Sequence, residues 1–100
     1  MEDQALKLLL VDDDPMILRA LGTILESEGF EVIGTVQDAR DAERQFDLLQ
    51  PDLLIMDIRM PEISGLDIAR NILAKDPTAS ILLLTTFKDE QWLSEALALG

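Results

Sequence analysis

Four short apolar runs divide the chain, and after each one the apolar residues recur every three or four positions. The first run, Leu6 to Val11, predicts a strand, with Leu8, Leu9, Leu10 and Val11 uninterrupted. It stops at Asp12-Asp13-Asp14-Pro15. Asp14 suits a helix N-cap, and Pro15 suits the first helical position, where a missing N–H costs nothing. Ile17, Leu21, Ile24 and Leu25 then form a helical stripe, with Gly29 as its C-terminal stop. Phe30 to Val36 predicts a second strand, more polar and therefore at a sheet edge. Asp38 is placed to cap a second helix reaching about Leu49, which Gln50-Pro51-Asp52 interrupts.

Leu53-Leu54-Ile55-Met56 predicts a third strand, apolar enough to be buried on both faces, and it ends abruptly in Asp57. Ser64-Gly65-Leu66-Asp67 has capping-box spacing and opens a helix through Ile68, Ile72 and Leu73, stopped at Asp76-Pro77. Ser80 to Thr85 predicts a fourth buried strand. Thr86-Phe87-Lys88-Asp89 repeats the capping-box spacing ahead of a helix bearing Trp92, Leu93, Ala96 and Leu97. Strand alternates with helix four times over short connections, which predicts parallel strands joined by right-handed crossovers. The expected fold is α/β and doubly wound, in one domain over residues 1–100.

Composition narrows the function. A hydrophobic content of 48% in 100 residues is enough for one modest core. No cysteine and no histidine are present, which removes thiolate chemistry, disulfides and the commonest general base. The formal charge of -12 argues against nucleic-acid binding by this chain, because phosphate contact needs a basic surface. No apolar run approaches the roughly 20 residues that cross a bilayer, and the acidic start Met1-Glu2-Asp3-Gln4 is unlike a signal peptide. A cytoplasmic protein is expected.

Position gives the acidic surplus its meaning. In an open parallel sheet, ligands bind at the carboxyl ends of the strands. Three such ends carry polar residues here: Asp12-Asp13-Asp14, Asp57 and Thr85. Carboxylates gathered at one edge repel unless protons, hydrogen bonds or a metal intervene. Magnesium suits such a set, being a hard ion that takes one or two carboxylates, waters and a phosphate oxygen. A carboxylate can also carry a phosphoryl group. Asp57 is the candidate for that role, with the Thr85 hydroxyl donating to the phosphoryl oxygens. Singly, each feature has a plainer reading as a loop, turn or cap. Their joint placement on three strand ends is what points to chemistry.

The segments Leu-Leu-Leu-Val-Asp-Asp-Asp-Pro-Met-Ile-Leu-Arg, Leu-Leu-Ile-Met-Asp-Ile-Arg-Met-Pro-Glu-Ile-Ser-Gly-Leu-Asp and Ile-Leu-Leu-Leu-Thr-Thr-Phe resemble the receiver domain of two-component response regulators. The resemblance spans essentially the whole chain. It implies a flavodoxin-like (CheY-like) sheet in the order 2-1-3-4, with the family's fifth strand and fifth helix missing. It further implies that Asp57 is the phosphoacceptor, receiving its phosphoryl group from a histidine kinase. Asp13 would hold Mg2+ directly and Asp12 through water, joined by Asp57 and the backbone carbonyl of Arg59. Asp14 would be the helix cap. Thr85 would be the switch hydroxyl, with Thr86 and the Arg59 side chain bordering the phosphoryl group. Pro61 and Gly65 would shape the loop after Asp57. The output would be a DNA-binding domain outside this chain, and the module would turn over no metabolite.

The family's usual lysine after the fourth strand has no counterpart, since no lysine follows Lys88. The resemblance therefore implies a fragment of a longer regulator. It also implies an exposed fourth-strand edge through which the chain self-associates. Phe87 and Trp92 are expected to pack. One alternative is a degenerate receiver that only dimerises. Another is a magnesium-dependent phosphatase of the haloacid-dehalogenase kind, suggested by Asp12-x-Asp14 but opposed by Pro15 and Met16.

Overall fold

A computed structural model describes residues 5–60 and 62–84. Its order is β1 (Lys7–Val11), α1 (Pro15–Ser27), β2 (Glu31–Val36), a 3-10 turn (Ala39–Asp41), α2 (Ala42–Leu49), β3 (Leu53–Asp57), α3 (Gly65–Lys75) and β4 (Ile81–Leu84). The strands form one parallel sheet in the order β2-β1-β3-β4, as expected. The predicted fourth strand, Ser80 to Thr85, is found as β4; its last residue, Thr85, and the helix predicted beyond it lie outside the described residues.

The sheet divides the core because alternate side chains of a strand point to opposite faces. Leu9 and Val11 of β1 join Leu54 and Met56 of β3 on one face, beneath Phe46 of α2 and Ile68 and Ile72 of α3. Leu8, Leu10 and Ile55 point the other way and meet Leu18 of α1. Burial on both faces explains why β1 and β3 read as uninterrupted apolar runs. β2 lies at one edge, as its polarity predicts. Its register against β1 slips between Leu8 and Leu9, where Leu8 pairs with Val32 and Leu9 with Gly34.

Helix ends follow local chemistry, with corrections to the expected boundaries. Asp14 caps α1 by accepting the Met16 N–H at 2.9 Å. Gly29 takes a positive φ of 97° after the helix, a conformation that favours glycine. Phe30 is not in β2, because its N–H closes α1 by donating to the Leu25 carbonyl. Asp38 caps the 3-10 turn through the Arg40 N–H, and α2 begins only at Ala42. Ser64 caps α3 by accepting the Leu66 N–H at 3.1 Å, but Asp67 pairs with Arg70 and does not complete a reciprocal box. In α1, burial falls on Leu18 and partly on Leu21 and Leu25, leaving Ile24 58% exposed.

The β3–α3 connection is the tightest part of the frame. The Gly65 N–H donates to the Ile58 carbonyl at 2.9 Å, folding the start of α3 back over the end of β3. A Cβ at Gly65 would collide with the Asp57 backbone carbonyl and stand 3.0 Å from Ile58 Cα. Both obstacles are backbone and cannot rotate away. Gly65→Ala is therefore expected to lower unfolding stability by about 1–3 kcal/mol, the usual cost of overpacking. Urea denaturation of the two proteins checks this, and an unchanged midpoint would refute the close approach.

Candidate functional site

β1 and β3 are adjacent and parallel, so their carboxyl ends deliver their next residues to the same edge. Val11 pairs with Met56, which sets Asp12 beside Asp57. Asp12 is held twice. Its N–H donates to the Val36 carbonyl at 3.0 Å, and its Oδ1 accepts the Asp14 N–H at 2.9 Å. Asp57 Oδ1 accepts the Arg59 N–H at 3.2 Å. Each carboxylate thus uses one oxygen on the backbone two residues ahead, a fixed local turn.

Asp12, Asp13 and Asp57 each offer a carboxylate oxygen within 4.8 Å of the other two. Asp12 is the one buried polar or charged residue among the described residues, at 7% exposure. Burial pushes its carboxyl above the usual carboxylate range, against the Asp14 N–H bond that lowers it, and the charges of Asp57 and Asp13 push it further up. Burial is also the main cause raising Asp57, opposed by the Arg59 N–H and reinforced by Asp13. The charge of Arg59 lowers Asp57 in part. Hard oxygen donors, mutual repulsion and partial burial are the donor chemistry that a hydrated divalent cation relieves.

Of the residues expected at the site, Asp12, Asp13 and Asp57 are brought together. Arg59 lies two residues past Asp57, with its backbone bridged to Ser64 across the loop. Asp14 faces its own helix as a cap, so Asp12-x-Asp14 does not act as a ligand pair. Leu84, the last described residue of β4, pairs with Asp57. Thr85 and Thr86 follow it and lie outside the described residues, as does Pro61. The sequence reading missed Glu62, which holds a left-handed φ of 69° in the loop after β3. No periodicity or composition signal marks such a position when the residue is not glycine.

The raised carboxyls fix the direction of a pH effect. The native state binds protons more readily than the unfolded chain, so unfolding stability falls as pH climbs from the ordinary carboxylate range through the raised native values. Above them the penalty is complete. Without metal at neutral pH, Asp57→Asn and Asp12→Asn are therefore expected to melt higher than the wild type, the gap closing in acid. Adding Mg2+ to 100 times its dissociation constant should raise the wild type by about 2.7 kcal/mol and the variants by less. Thermal melts with and without chelator read both, and a wild type that outlasts the variants in chelator would refute the repulsion.

The family model for the response regulator receiver domain matches residues 8–100. The chemotaxis protein CheY of Listeria monocytogenes is 32% identical over 95 residues, covering 95% of this chain and 80% of its relative. The transcriptional regulatory protein LnrK of Bacillus subtilis is 34% identical over 96 residues, but the match covers only 44% of it. Among solved structures, the CheX–CheY–BeF3–Mg2+ complex from Borrelia burgdorferi superposes with a TM-score of 0.87 at 28% identity, over 97% of this chain and 74% of that one. With its parallel sheet in the order β2-β1-β3-β4 and its acidic edge, the chain belongs to the response regulator receiver domains of two-component systems.

Proposed function

We propose that this chain is a phospho-accepting switch in which Asp57 takes a phosphoryl group from a histidine kinase. The observation that carries the reading is the convergence of Asp12, Asp13 and Asp57 at the carboxyl ends of two adjacent strands. A free carboxylate oxygen of Asp57 attacks phosphorus as the phosphorus–nitrogen bond of the donor imidazole breaks. The imidazole leaves with the bonding pair and takes up a proton. Mg2+ supplies the charge neutralisation that lets an anionic nucleophile approach an anionic phosphoryl group. Asp13 would hold it directly and Asp12 through water, with Asp57 and the Arg59 carbonyl as the further protein ligands. The Arg59 N–H fixes the Asp57 carboxylate, so that one oxygen is oriented before reaction.

Thr85 serves as the switch hydroxyl, Thr86 contacts the phosphoryl group through its backbone, and the Arg59 side chain borders the acyl phosphate. The module is no enzyme in the metabolic sense. It catalyses only its own phosphorylation and slow dephosphorylation, and the signal passes as a shift between two conformations. With a formal charge of -12 the chain itself leaves nucleic acid to an output domain. The likeness to a transcriptional regulatory protein and to a LuxR-family response regulator from Aurantimonas supports a transcriptional output. No described helix is long and apolar enough to cross a membrane, which is compatible with a cytoplasmic module. Self-association through the β4 edge, where Leu82 is 47% exposed, belongs to the same reading and is measured by light scattering.

The single tryptophan, Trp92, provides the optical test. Mg2+ is titrated first and beryllofluoride, an acyl-phosphate mimic, is added second, on the wild type and on Asp57→Ala. The expected result is a Mg2+ response that beryllofluoride extends and that Asp57→Ala abolishes. Binding of Mg2+ with no effect of beryllofluoride on the folded wild type, by fluorescence or calorimetry, would sink the phosphoacceptor role.

A further inference from the structure

The loop after β3 turns on a residue in an uncommon conformation. Glu62 holds a φ of 69°, in the left-handed region where an L side chain is strained. A non-glycine residue stays there only where its surroundings hold it. Glu62 lies between Arg59 and Ser64, which are bridged to each other across the loop. Arg59 in turn donates its N–H to Asp57 Oδ1 at 3.2 Å. A change of backbone direction at Glu62 therefore reaches the Asp57 carboxylate through one bridge and one hydrogen bond.

The turn after β2 faces this loop across an open cleft of about 450 Å3, and Arg40 and Glu62 both line it. Arg40 is anchored in place. Asp38 Oδ1 accepts its backbone N–H at 3.0 Å and its Nε–H at 3.1 Å, while Oδ2 accepts from Nη2 at 2.8 Å. With the guanidinium already oriented by this fork, attracting a second carboxylate costs it little further freedom. Hydrogen bonding to Asp38 and the charge of Asp38 raise the proton affinity of Arg40 most, and the charge of Glu62 raises it next. Asp38 is thus the bonded partner, and Glu62 acts on the same cation over a longer distance.

We propose that Arg40 is a positioning residue: anchored by Asp38, it attracts the Glu62 carboxylate across the cleft and holds the β3–α3 loop in the left-handed closure that presents Arg59 to Asp57. Its consequence for Mg2+ rests on the phosphoacceptor reading above, whereas the hold on Glu62 does not. Positioning and direct electrostatics differ in sign. By charge alone, Arg40→Gln removes a cation near the acidic edge, uncovers the charge of Asp38 and tightens Mg2+ binding. If Arg40 holds the loop, the same change loosens the contact between Arg59 and Asp57 and weakens Mg2+ binding.

The test compares the wild type, Arg40→Gln, Glu62→Gly and the double variant by NMR on the full chain. Without metal, the intraresidue NOE between the amide proton and Hα of Glu62 is read, which is strong at positive φ because the two protons are then close. Mg2+ is titrated afterwards. The expected result for Arg40→Gln is a weaker NOE at Glu62 and a Mg2+ affinity lowered about two- to fivefold, in keeping with the modest strength of exposed charge pairs. Glycine adopts positive φ without strain, so in the Glu62→Gly background Arg40→Gln should not weaken Mg2+ further. The remaining amide spectrum reports whether each variant is folded. An Arg40→Gln variant that keeps the NOE unchanged, or that binds Mg2+ more tightly, would overturn the proposal. A wild type that binds no Mg2+ would instead sink the metal reading, and the NOE comparison would then decide the hold on Glu62 by itself.

Discussion

Parallel pairing of β1 with β3 at the centre of the sheet is the constraint on which the rest of the structure depends. Leu8 through Val11 pair with Leu53 through Met56, all but Leu53 buried. Both strands are closed in by neighbours in the sheet and by helices on its faces. Their register is therefore fixed by core packing, since a slip would move each large side chain out of the space it fills between sheet and helices. The two strands run out of apolar residues at the same level, and the next residues are Asp12 and Asp57. The packing that sets this register thereby brings the two carboxylates to one edge.

Local hydrogen bonds make the arrangement tolerable without removing its tension. The carboxylates of Asp12, Asp14 and Asp57 each accept an N–H from the residue two positions ahead. For Asp14 that bond is the helix cap. For Asp12 and Asp57 it fixes a carboxylate that stands at the shared edge. Buried and mutually repelling groups with raised proton affinity are also those that gain most from a divalent cation. An unfavourable feature of the metal-free fold is in this way what a bound cation would relieve. The same edge carries the close approach of Gly65 to the Asp57 carbonyl and the left-handed backbone of Glu62, conformations that persist only where surrounding structure holds them.

The boundary corrections share one cause. Asp38 carries a capping residue's side chain, but the turn it caps is a short 3-10 segment whose Arg40 folds back on it, so the α-helix begins three residues later than the cap suggests. Asp67 stands at capping-box distance from Ser64, yet Arg70 one turn along competes for it. Periodicity placed Ile17 and Ile24 on the apolar stripe of α1, whereas the sheet contacts the stripe around Leu18. In each case the local pattern admits two partners and the neighbouring element selects one.

The sequence by itself determined the fold and the three carboxylates of the candidate site. Strand-length apolar runs and helical stripes alternate strictly, and each run destined for the middle of the sheet ends in an acid, so hydrophobic period and strand-end position together locate Asp12, Asp13 and Asp57. Only the tertiary structure decided how close those carboxylates stand and which of their oxygens the backbone occupies. It alone disclosed the cleft between Arg40 and Glu62. The reason is physical: burial patterns are written one element at a time, within a few residues of sequence, whereas a distance between loops 20 or more residues apart depends on register and packing summed over the whole sheet.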